Sequence, residues 1–348
     1  MTGNRLGTAT ILIIRARRQV ALVDSIRDAA GALGVQRILW GDSDHLDPVQ
    51  FRADGHVMVP EVSDPDYLPS LAAICERNDV SVVIPWHDAE ILYLSKHRAF
   101  LADRGILLAA PPVKYVELFD DKLATFEWAR ENGIPAVPCL SIGNALRFGG
   151  RLIIKPRNGS GSFGIKVIDT LNESAHAVSV LSPRDWVIQE YIDAAEVTVD
   201  VVIDGRSNPL WIVPRLRLRV RGSEAVVSAI EMDPAILDLA KKLCEHIDFA
   251  GVFNFQALKT EAGWQLLEIN PRAGGGSELS LAVGAPIASG LLRMAGVDSL
   301  GDFLPGTPPN GVVMTRYLAG FTFKIDGFGN AVLDSNEPQD RGSDGTVV

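Results

Sequence analysis

Hydrophobic and polar positions in the first third of the chain alternate between short apolar runs and helical periods. Apolar runs typical of buried strands occupy residues 10–14, 36–40, 56–59 and 80–85, and helical periods occupy residues 20–33 and 67–77. Strands that alternate with helices predict a parallel sheet covered by helices on both faces. Sheets of this kind bind ligands at the carboxyl ends of their strands. The pattern therefore predicts a doubly wound α/β domain over residues 1–112.

The segment Pro85–Glu90 lies at one of these carboxyl ends. Asp88 and Glu90 suit the first turn of the following helix, because helix N-termini favour side-chain oxygens and acidic charge. The same two carboxylates can face a substrate, and the two roles are compatible. Asp88 and Glu90 are therefore tentative substrate-binding residues.

The pattern changes after the Pro111–Pro112 pair, which interrupts regular structure. One continuous helix is predicted over residues 113–132, and strand-like segments dominate from Arg151 onward. Within this strand-rich part, residues 251–258 and 263–270 form a predicted hairpin. The second part of the chain is therefore expected to be α+β rather than a continuation of the parallel sheet.

Composition and charge exclude several classes of protein. Hydrophobic residues make up 47%, charged residues 22%, and the net charge is -10, which indicates a folded protein and argues against broad binding to nucleic-acid phosphates. No apolar run approaches the roughly 20 residues of a membrane span, and residues 1–9 lack the apolar segment of a signal peptide. The three cysteines have no CxxC spacing and fit reduced thiols. We expect a cytoplasmic protein that binds neither nucleic acid nor membrane, with a homodimer as the prior for its assembly.

A glycine- and serine-rich loop lies between two strand-like runs at residues 152–165. Lys155 ends the first run, and the loop contains Gly159, Ser160, Gly161 and Ser162. Glycines let backbone N–H groups approach phosphate oxygens, and the lysine supplies a positive charge. The loop is neither a Walker loop nor a Rossmann fingerprint, because a strand follows it. Taken alone, it is compatible with a plain flexible hairpin as well as with phosphate binding.

Side-chain oxygens converge on the predicted hairpin. Glu268 and Asn270 are two residues apart, so both side chains point to one face of a strand, and Gln256 is expected opposite Glu268. Carboxylate and amide oxygens without His or Cys suit a hard cation such as magnesium. Arg272 follows directly, where a guanidinium could clamp a transferring phosphate. The structural alternative is an exposed hairpin with a surface arginine, which the surrounding apolar residues disfavour.

The order of these motifs resembles the ATP-grasp superfamily, and within it the carbamoyl-phosphate-synthase-like branch. The likeness covers about residues 9–284 and includes Asp121–Lys122, Lys155 with its loop, residues 189–196, Gln256 and Glu268–Arg272. It implies an N-terminal doubly wound pre-ATP-grasp domain followed by two α+β ATP-grasp lobes. The expected divisions are the N-terminal domain over 1–112, a small lobe with linker helix and phosphate loop over 113–185, a large lobe with the metal site over 186–333, and a flexible tail over 334–348.

The same resemblance implies a role for each motif. ATP would be bound by Lys122, Lys155, Gly159, Ser160, Gly161 and Ser162 at the phosphates, by Gln189, Glu190, Tyr191 and Ile192 along the adenine, and by Glu196 at the ribose. Gln256, Glu268 and Asn270 would hold Mg²⁺ or Mn²⁺. Arg272 would be the catalytic residue that stabilises the acyl-phosphate transition state.

Two departures from the family are visible. Relatives often carry a glycine in the turn after the first strand, whereas residues 15–18 here read Arg-Ala-Arg-Arg. No second arginine follows Arg272 as it does in the synthase, so carbamoyl phosphate synthesis is not implied. The likeness is better to single-module ligases that join amino acids or related acids.

An arginine stripe is particular to this chain. It consists of Arg215, Arg217, Arg219 and Arg221, which alternate with apolar residues and would share one strand face. This face is either solvated or a clamp for an anionic substrate. Arg215 and Arg219 are the candidates for such a clamp.

We therefore predict an ATP- and magnesium-dependent ligase that activates a small carboxylate as an acyl phosphate for attack by an amine. A kinase that releases a phosphorylated product and a nucleotide-binding sensor without turnover are the alternatives. Ligation yields ADP, free phosphate and a condensed product, whereas a kinase yields ADP without free phosphate. The intact Glu268, Asn270 and Arg272 argue against the sensor.

Overall fold

The computed structural model describes residues 9–44, 46–159, 161, 163–168, 181–182, 184–297, 305–317, 319–325 and 331–333. The predicted loop residues Ser160 and Ser162 and the predicted tail over 334–348 lie outside the described residues.

The described helices are α1 (Val20–Gly31), α2 (Tyr67–Arg77), α3 (Asp88–Lys96), α4 (Arg98–Ala102), α5 (Val113–Asp120), α6 (Lys122–Glu131), α7 (Ile142–Arg147), α8 (Pro234–Cys244), α9 (Glu278–Ala282) and α10 (Ile287–Met294). The described strands are β1 (Thr10–Ile14), β2 (Arg37–Asp42), β3 (Gly55–Met58), β4 (Val80–Pro85), β5 (Leu107–Leu108), β6 (Leu152–Pro156), β7 (Lys166–Ile168), β8 (Trp186–Glu190), β9 (Glu196–Asp204), β10 (Pro209–Arg221), β11 (Glu224–Ile230), β12 (Ala250–Thr260), β13 (Gly263–Asn270), β14 (Val313–Thr315), β15 (Phe323–Ile325) and β16 (Ala331–Leu333). None of these helices is long and apolar enough to cross a membrane.

The N-terminal part is a five-stranded parallel sheet with strand order β3-β2-β1-β4-β5. Every residue of β1 is buried, as expected for a central strand covered by helices on both faces. The predicted doubly wound sheet is therefore confirmed. The strand order reverses between β1 and β4, and the turns that follow these two strands lie at the switch point where such sheets bind ligands.

The larger sheet of the second part is antiparallel, with strand order β13-β12-β9-β10-β11-β14. The predicted hairpin forms from β12 and β13. Helix α8 covers this sheet with an apolar stripe that recurs at helical spacing, and the N-cap side chain of Asp233 accepts a hydrogen bond from the Ala235 amide. The hairpin is therefore part of a sheet that packs against the apolar face of α8, and this packing holds its polar end in position.

A separate three-stranded sheet, ordered β7-β6-β8, carries the glycine-rich loop between β6 and β7. Lys155 lies on β6 and is 6% exposed. The loop thus starts from a buried lysine on a short sheet.

The predicted continuous helix over residues 113–132 is wrong. The chain forms α5 and α6, and Asp121 between them has an extended backbone (φ -89°, ψ 103°). Its carboxylate caps α6 by accepting hydrogen bonds from the amides of Leu123 and Ala124 at 3.0 and 3.1 Å. The same carboxylate pairs with Arg157, with Nη2 2.7 Å from Oδ2. Both halves have helical periodicity, so the pattern alone did not reveal the break. The break places Lys122 at the start of α6, beside the glycine-rich loop.

We expect Gly290→Ala to destabilise the protein, because α10 packs closely on the large sheet at this residue. A Cβ at Gly290 would lie 2.6 Å from Cγ2 of Val252 and 3.3 Å from Cγ1 of Val202, and both valines are fully buried. The free energy of unfolding in urea should fall by roughly 1–3 kcal/mol. Gly143→Ala in α7 is the matched control, since only the end of the Arg147 side chain lies within 4 Å, and it should gain about 0.5–1 kcal/mol. Equal stability of the two variants would contradict this packing.

Candidate functional site

Strands β12 and β13 bring the predicted oxygen side chains to one end of the hairpin. Gln256 pairs opposite Glu268, and Asn254 pairs opposite Asn270, as the spacing predicts. The Asn270 Nδ2 atom lies 3.3 Å from Glu268 Oε1 and 3.2 Å from Asn254 Oδ1. Four oxygen-bearing side chains therefore converge on one small volume.

Glu196 joins this group from the neighbouring strand β9. With its amide nitrogen turned toward the carboxylates, Gln256 donates to Glu196 Oε1 at 3.0 Å and to Glu268 Oε1 at 3.3 Å. Burial raises the pKa of Glu196, and the negative charge of Glu268 raises it further, while Arg217 opposes both effects. Two neighbouring carboxylates in a partly buried place are costly unless a cation joins them. The donor set, with carboxylate and amide oxygens and no thiolate or imidazole, therefore fits a hard divalent cation.

Lys155 provides a positive charge close to these carboxylates. Burial lowers the pKa of Lys155, whereas Glu268 and Glu196 favour its charged form. On the neighbouring loop, the Lys122 ammonium donates to the Gly159 carbonyl at 2.6 Å. The amide of Gly159 in turn donates to Asp120 Oδ1 at 3.3 Å. The start of the glycine-rich loop is therefore held against the α5–α6 junction, next to the two lysines.

The predicted adenine hinge begins in the last two residues of strand β8 and continues beyond it. The Gln189 side chain is buried and donates to the Val137 carbonyl at 3.0 Å, so it supports the hinge from beneath. The Tyr191 amide donates to the Arg151 carbonyl at 2.9 Å, and the guanidinium of Arg151 lies 4.1 Å from the Tyr191 ring centroid. Glu190 is exposed, and Ile192 is half-buried. The side chain that anchors this segment is therefore that of Gln189.

A cavity joins the loop, the hairpin and the N-terminal domain. Its lining combines polar groups from all three with an apolar wall: Asp88, Ile91, Leu92, Val116, Phe119, Asp120, Lys122, Gly159, Glu268, Ile269, Asn270 and Pro271. Lys122, one of the two predicted phosphate-binding lysines, therefore faces the same space as the predicted metal ligands Glu268 and Asn270, and Asp88 lies at its N-terminal side.

Arg272 forms an ion pair with Asp88 that links the two halves of the molecule. Its Nη2 lies 2.9 Å from Asp88 Oδ2, and its Nε donates to Asp88 Oδ1. Its Nη1 donates to the Ala273 carbonyl at 3.2 Å. The guanidinium is thus held on one edge by a carboxylate.

Glu90, the second tentative substrate residue, lies inside the N-terminal domain and is 0% exposed. Its Oε1 accepts a hydrogen bond from the Tyr67 hydroxyl at 2.8 Å and lies 3.3 Å from Arg15 Nη1. Arg15 Nη1 also lies 3.2 Å from Glu61 Oε2. Sequence reasoning did not single out this buried cluster, although an arginine directly after a buried strand is a signal that could have indicated it.

The predicted common face of the arginine stripe is wrong. The pairing of β10 with β11 shifts between Arg217 and Arg219 and again after Arg219, so simple alternation ends there. Arg215 is 2% exposed and pairs with Asp200 through Nε–Oδ2 at 2.8 Å and Nη2–Oδ1 at 3.1 Å. Arg217 pairs with Glu196 at 3.1 Å, and Arg219 and Arg221 are exposed. The stripe therefore divides into a buried half near the site and a solvated half.

Arg215 supports the glycine segment that follows Arg272. A Cβ at Gly276 would lie 2.7 Å from Arg215 Nη1, and one at Gly274 would lie 3.1 Å from Arg215 Nη2. Ser280 donates to Asp200 Oδ2 at 2.5 Å, which completes the network around the pair. Arg215 therefore packs beneath this segment, where small residues are required.

Two family models and several curated proteins match parts of this chain. A family model described as "ATP-grasp in the biosynthetic pathway with Ter operon" matches residues 182–303, and one described as "PylC-like, N-terminal domain" matches residues 11–109. The carbamoyl phosphate synthase large chain of Clostridium perfringens (strain SM101 / Type A) is 24% identical over 263 residues, which cover 69% of this chain and 24% of that protein. The pyruvate carboxylase of Staphylococcus aureus (strain Mu50 / ATCC 700699) is 22% identical over 294 residues, covering 75% of this chain and 25% of that protein. The chain thus spans about a quarter of the length of these curated relatives.

Solved structures show the same fold. N5-carboxyaminoimidazole synthetase from Staphylococcus aureus, complexed with ADP, matches with a TM-score of 0.67 at 17% identity, covering 87% of this chain and 80% of that one. The biotin carboxylase domain of Hydrogenobacter thermophilus 2-oxoglutarate carboxylase, solved with MgADP, ADP and bicarbonate, matches with a TM-score of 0.66 at 18% identity, covering 84% and 71%. With the ordered motifs and the two family models, these matches confirm the predicted resemblance. The chain thus resembles the ATP-grasp superfamily over residues 182–303, and residues 11–109 resemble the PylC-like N-terminal domain.

We expect Glu90 to make the stability of the protein depend on pH. Burial raises the pKa of Glu90 from its ordinary 4.5 to about 7. The folded state therefore holds a proton that the unfolded state releases, and this stabilising contribution is lost as the pH rises from 4.5 through about 7. Glu90→Gln lacks this titration, so its free energy of unfolding relative to the parent should increase across that interval. Chemical unfolding at a series of pH values measures the difference.

Glu117→Gln, which removes an exposed carboxylate from α5, is the control for this measurement. It measures the effect of losing a carboxylate that is exposed rather than buried. A flat difference for Glu90→Gln across the interval would contradict the raised pKa of Glu90.

Proposed function

We propose that this chain is an ATP- and magnesium-dependent ligase that activates a small carboxylic acid as an acyl phosphate and joins it to an amine. The observation that carries the proposal is the single cavity that Lys122 and Gly159 share with Glu268 and Asn270. A polyphosphate held by the lysines and the loop would lie against the cation ligands. Arg272 lies directly beyond those ligands in the chain, as transfer of a terminal phosphate requires.

The nucleotide would lie between the small sheet and the large sheet. Lys155 and Lys122, with the backbone of residues 159–162, would bind its phosphates. The backbone of residues 189–192 would bind adenine, and Glu196 would bind the ribose. This proposal is supported by the burial of Lys155 beside two carboxylates, because a lysine in such a position is suited to bind a charged ligand.

Gln256, Glu268 and Asn270 would hold magnesium, or manganese in its place. When bound, the cation would neutralise phosphate charge and polarise the terminal phosphoryl group. The residues themselves supply the oxygen donors and fix their spacing through the β12–β13 register.

In the first chemical step, an oxygen of the acid forms a bond to the terminal phosphorus of ATP and ADP leaves. In the second step, the amine nitrogen forms a bond to the acyl carbon, the bond from that carbon to the phosphate oxygen breaks, and inorganic phosphate leaves. The amine loses a proton in this step. Arg272, held in place by Asp88, would stabilise the charge that develops on the phosphate.

We expect Glu268→Gln to abolish turnover with the fold retained, because the change removes the carboxylate from the cation ligands. The assay measures ADP and free phosphate in mixtures of ATP, magnesium and amino acids, offered singly and in pairs. In the parent protein, ATP should raise the melting temperature only when magnesium is present.

Glu261→Gln, in the exposed turn at the other end of the same hairpin, is the matched control and should retain parent activity. Parent-level activity of Glu268→Gln would refute the cation site. ADP production without free phosphate would instead indicate a kinase.

We expect Arg272→Ala to lower kcat by roughly 100-fold or more with little change in the KM for ATP, because the guanidinium acts mainly in the transition state. Arg272→Lys should restore little activity, since an ammonium does not reproduce the bidentate fork. Asp88→Asn should also lower kcat, and it should have no further effect when Arg272 is already alanine. Steady-state kinetics of the parent, the two single variants and the double variant form a complete cycle.

Asp54→Asn, which alters the Arg27–Asp54 pair away from the cavity, controls for the loss of an Arg–Asp pair. Additive losses from Asp88→Asn and Arg272→Ala would contradict the idea that Asp88 acts through Arg272. They would favour a direct contact between Asp88 and a substrate.

A further inference from the structure

The start of the glycine-rich loop lies against the α5–α6 junction over three residues of each segment, 157–159 in the loop and 120–122 in the junction. At one end of this contact, the Asp120 carboxylate accepts hydrogen bonds from Asn158 Nδ2 at 2.9 Å and from the Gly159 amide at 3.3 Å. Both Asp120 and Gly159 line the cavity of the proposed site. The contact therefore extends from the base of the loop to the wall of the cavity.

The ion pair between Arg157 and Asp121 is the centre of this contact. Arg157 Nε lies 2.8 Å from Asp121 Oδ1 and Nη2 lies 2.7 Å from Oδ2, so the guanidinium and the carboxylate are joined edge to edge. The side chains are 29% and 19% exposed, which limits screening by solvent. Burial alone would raise the pKa of Asp121, but the hydrogen bonds from Arg157 and from the α6 amides lower it overall. The pair is therefore ionised at neutral pH.

The main chain of Arg157 is held as well as its side chain. Its amide donates to the Asp185 carbonyl at 2.8 Å, and its carbonyl accepts a hydrogen bond from the Lys122 amide at 3.0 Å. Asp121 in turn caps α6, whose first residue is Lys122. The ion pair thus connects the small sheet with the first turn of α6, and it fixes the backbone from which the Lys122 side chain projects.

The Lys122 side chain needs such support, because a second lysine lies nearby. Burial lowers the pKa of Lys155, Glu268 opposes this effect, and the charge of Lys122 lowers the pKa further. A lysine stem is flexible, so an unsupported Lys122 would turn away from the second ammonium and into solvent. In the structure its ammonium instead donates to the Gly159 carbonyl and lines the cavity.

The contact with the Gly159 carbonyl leaves the Lys122 ammonium able to bind an anion. An ammonium has three N–H donors, and among the residues that the structure describes, that of Lys122 forms no ion pair with a carboxylate. A charged oxygen is a stronger acceptor than a backbone carbonyl. A phosphate that enters the cavity can therefore bind this ammonium without breaking the contact that holds it.

We propose that Arg157 and Asp121 are positioning residues for nucleotide binding, and that their ion pair holds the Lys122 ammonium where it binds the phosphates of ATP. Neither side chain of the pair touches the nucleotide, and both act through Lys122. The family resemblance implies phosphate binding for Lys122 and no role for the ion pair. This inference rests on the nucleotide site of the proposed function, and it does not depend on the identity of the acid or the amine.

The test measures the Kd of the full chain for MgATP by isothermal titration calorimetry, with no acid or amine present. Arg157→Gln and Asp121→Asn should each raise this Kd about tenfold or more, and the double variant should bind no more weakly than the weaker single variant, because either change breaks the same pair. Asp121→Asn keeps an oxygen that caps α6, so the helix is retained. Arg157→Lys, the mildest change, should still raise the Kd severalfold, since an ammonium does not reproduce the bidentate fork.

A second cycle separates positioning from a general structural role. Lys122→Ala should also raise the Kd about tenfold, and Arg157→Gln should change it by less than about twofold once Lys122 is alanine. Arg27→Gln is the matched control, because Arg27 also makes two contacts with one carboxylate, that of Asp54, away from the cavity. Its Kd should equal that of the parent.

Parent-like affinity of both single variants, or an equal loss from Arg157→Gln with and without Lys122, would overturn the positioning role. If the parent itself does not bind MgATP, the nucleotide site of the proposed function fails and this inference fails with it. Because the acid and the amine are absent from the titration, the result is independent of whether the ligase reaction occurs.

Discussion

The ion pair between Arg272 and Asp88 is the contact on which the arrangement of the site depends most. The two residues are 184 positions apart in the chain, and they join the end of the cation hairpin to the first turn of α3. Asp88 therefore lies at the switch point of the N-terminal sheet and at the edge of the cavity at the same time. If this pair were lost, Arg272 would gain rotational freedom, and a misplacement of about 1 Å is enough to cost a large part of a catalytic rate.

A second constraint is the burial of charge in an acidic protein. Arg15 and Arg215 are both nearly inaccessible, and each lies against carboxylates inside the fold. Breaking a buried pair of this kind is costly, because the remaining charge has no solvent to stabilise it. These pairs fix the β1–α1 turn and the segment after Arg272.

Local features were predictable from the sequence, and contacts between distant segments were not. The convergence of Gln256, Glu268 and Asn270 follows from the two-residue period of a strand and from a short turn, both of which the chain displays directly. The burial of Glu90 depends on Arg15 and Tyr67, which come from other elements, so no spacing rule revealed it. The break at Asp121 was not predicted, because helical periodicity continues across it. The regular alternation of arginines was also misleading, because the pairing of β10 with β11 shifts after Arg217.

The central claim is that a carboxylate becomes an acyl phosphate, and oxygen transfer tests it most directly. The acid that supports ADP release would be supplied with ¹⁸O in its carboxylate, and the released phosphate would be analysed by mass spectrometry. Because the acid oxygen that forms the bond to phosphorus stays with the phosphate when the amine adds, the account predicts one ¹⁸O atom in the phosphate from each turnover. Phosphate without ¹⁸O would show that water, and not the acid, accepts the phosphoryl group, and would contradict the account.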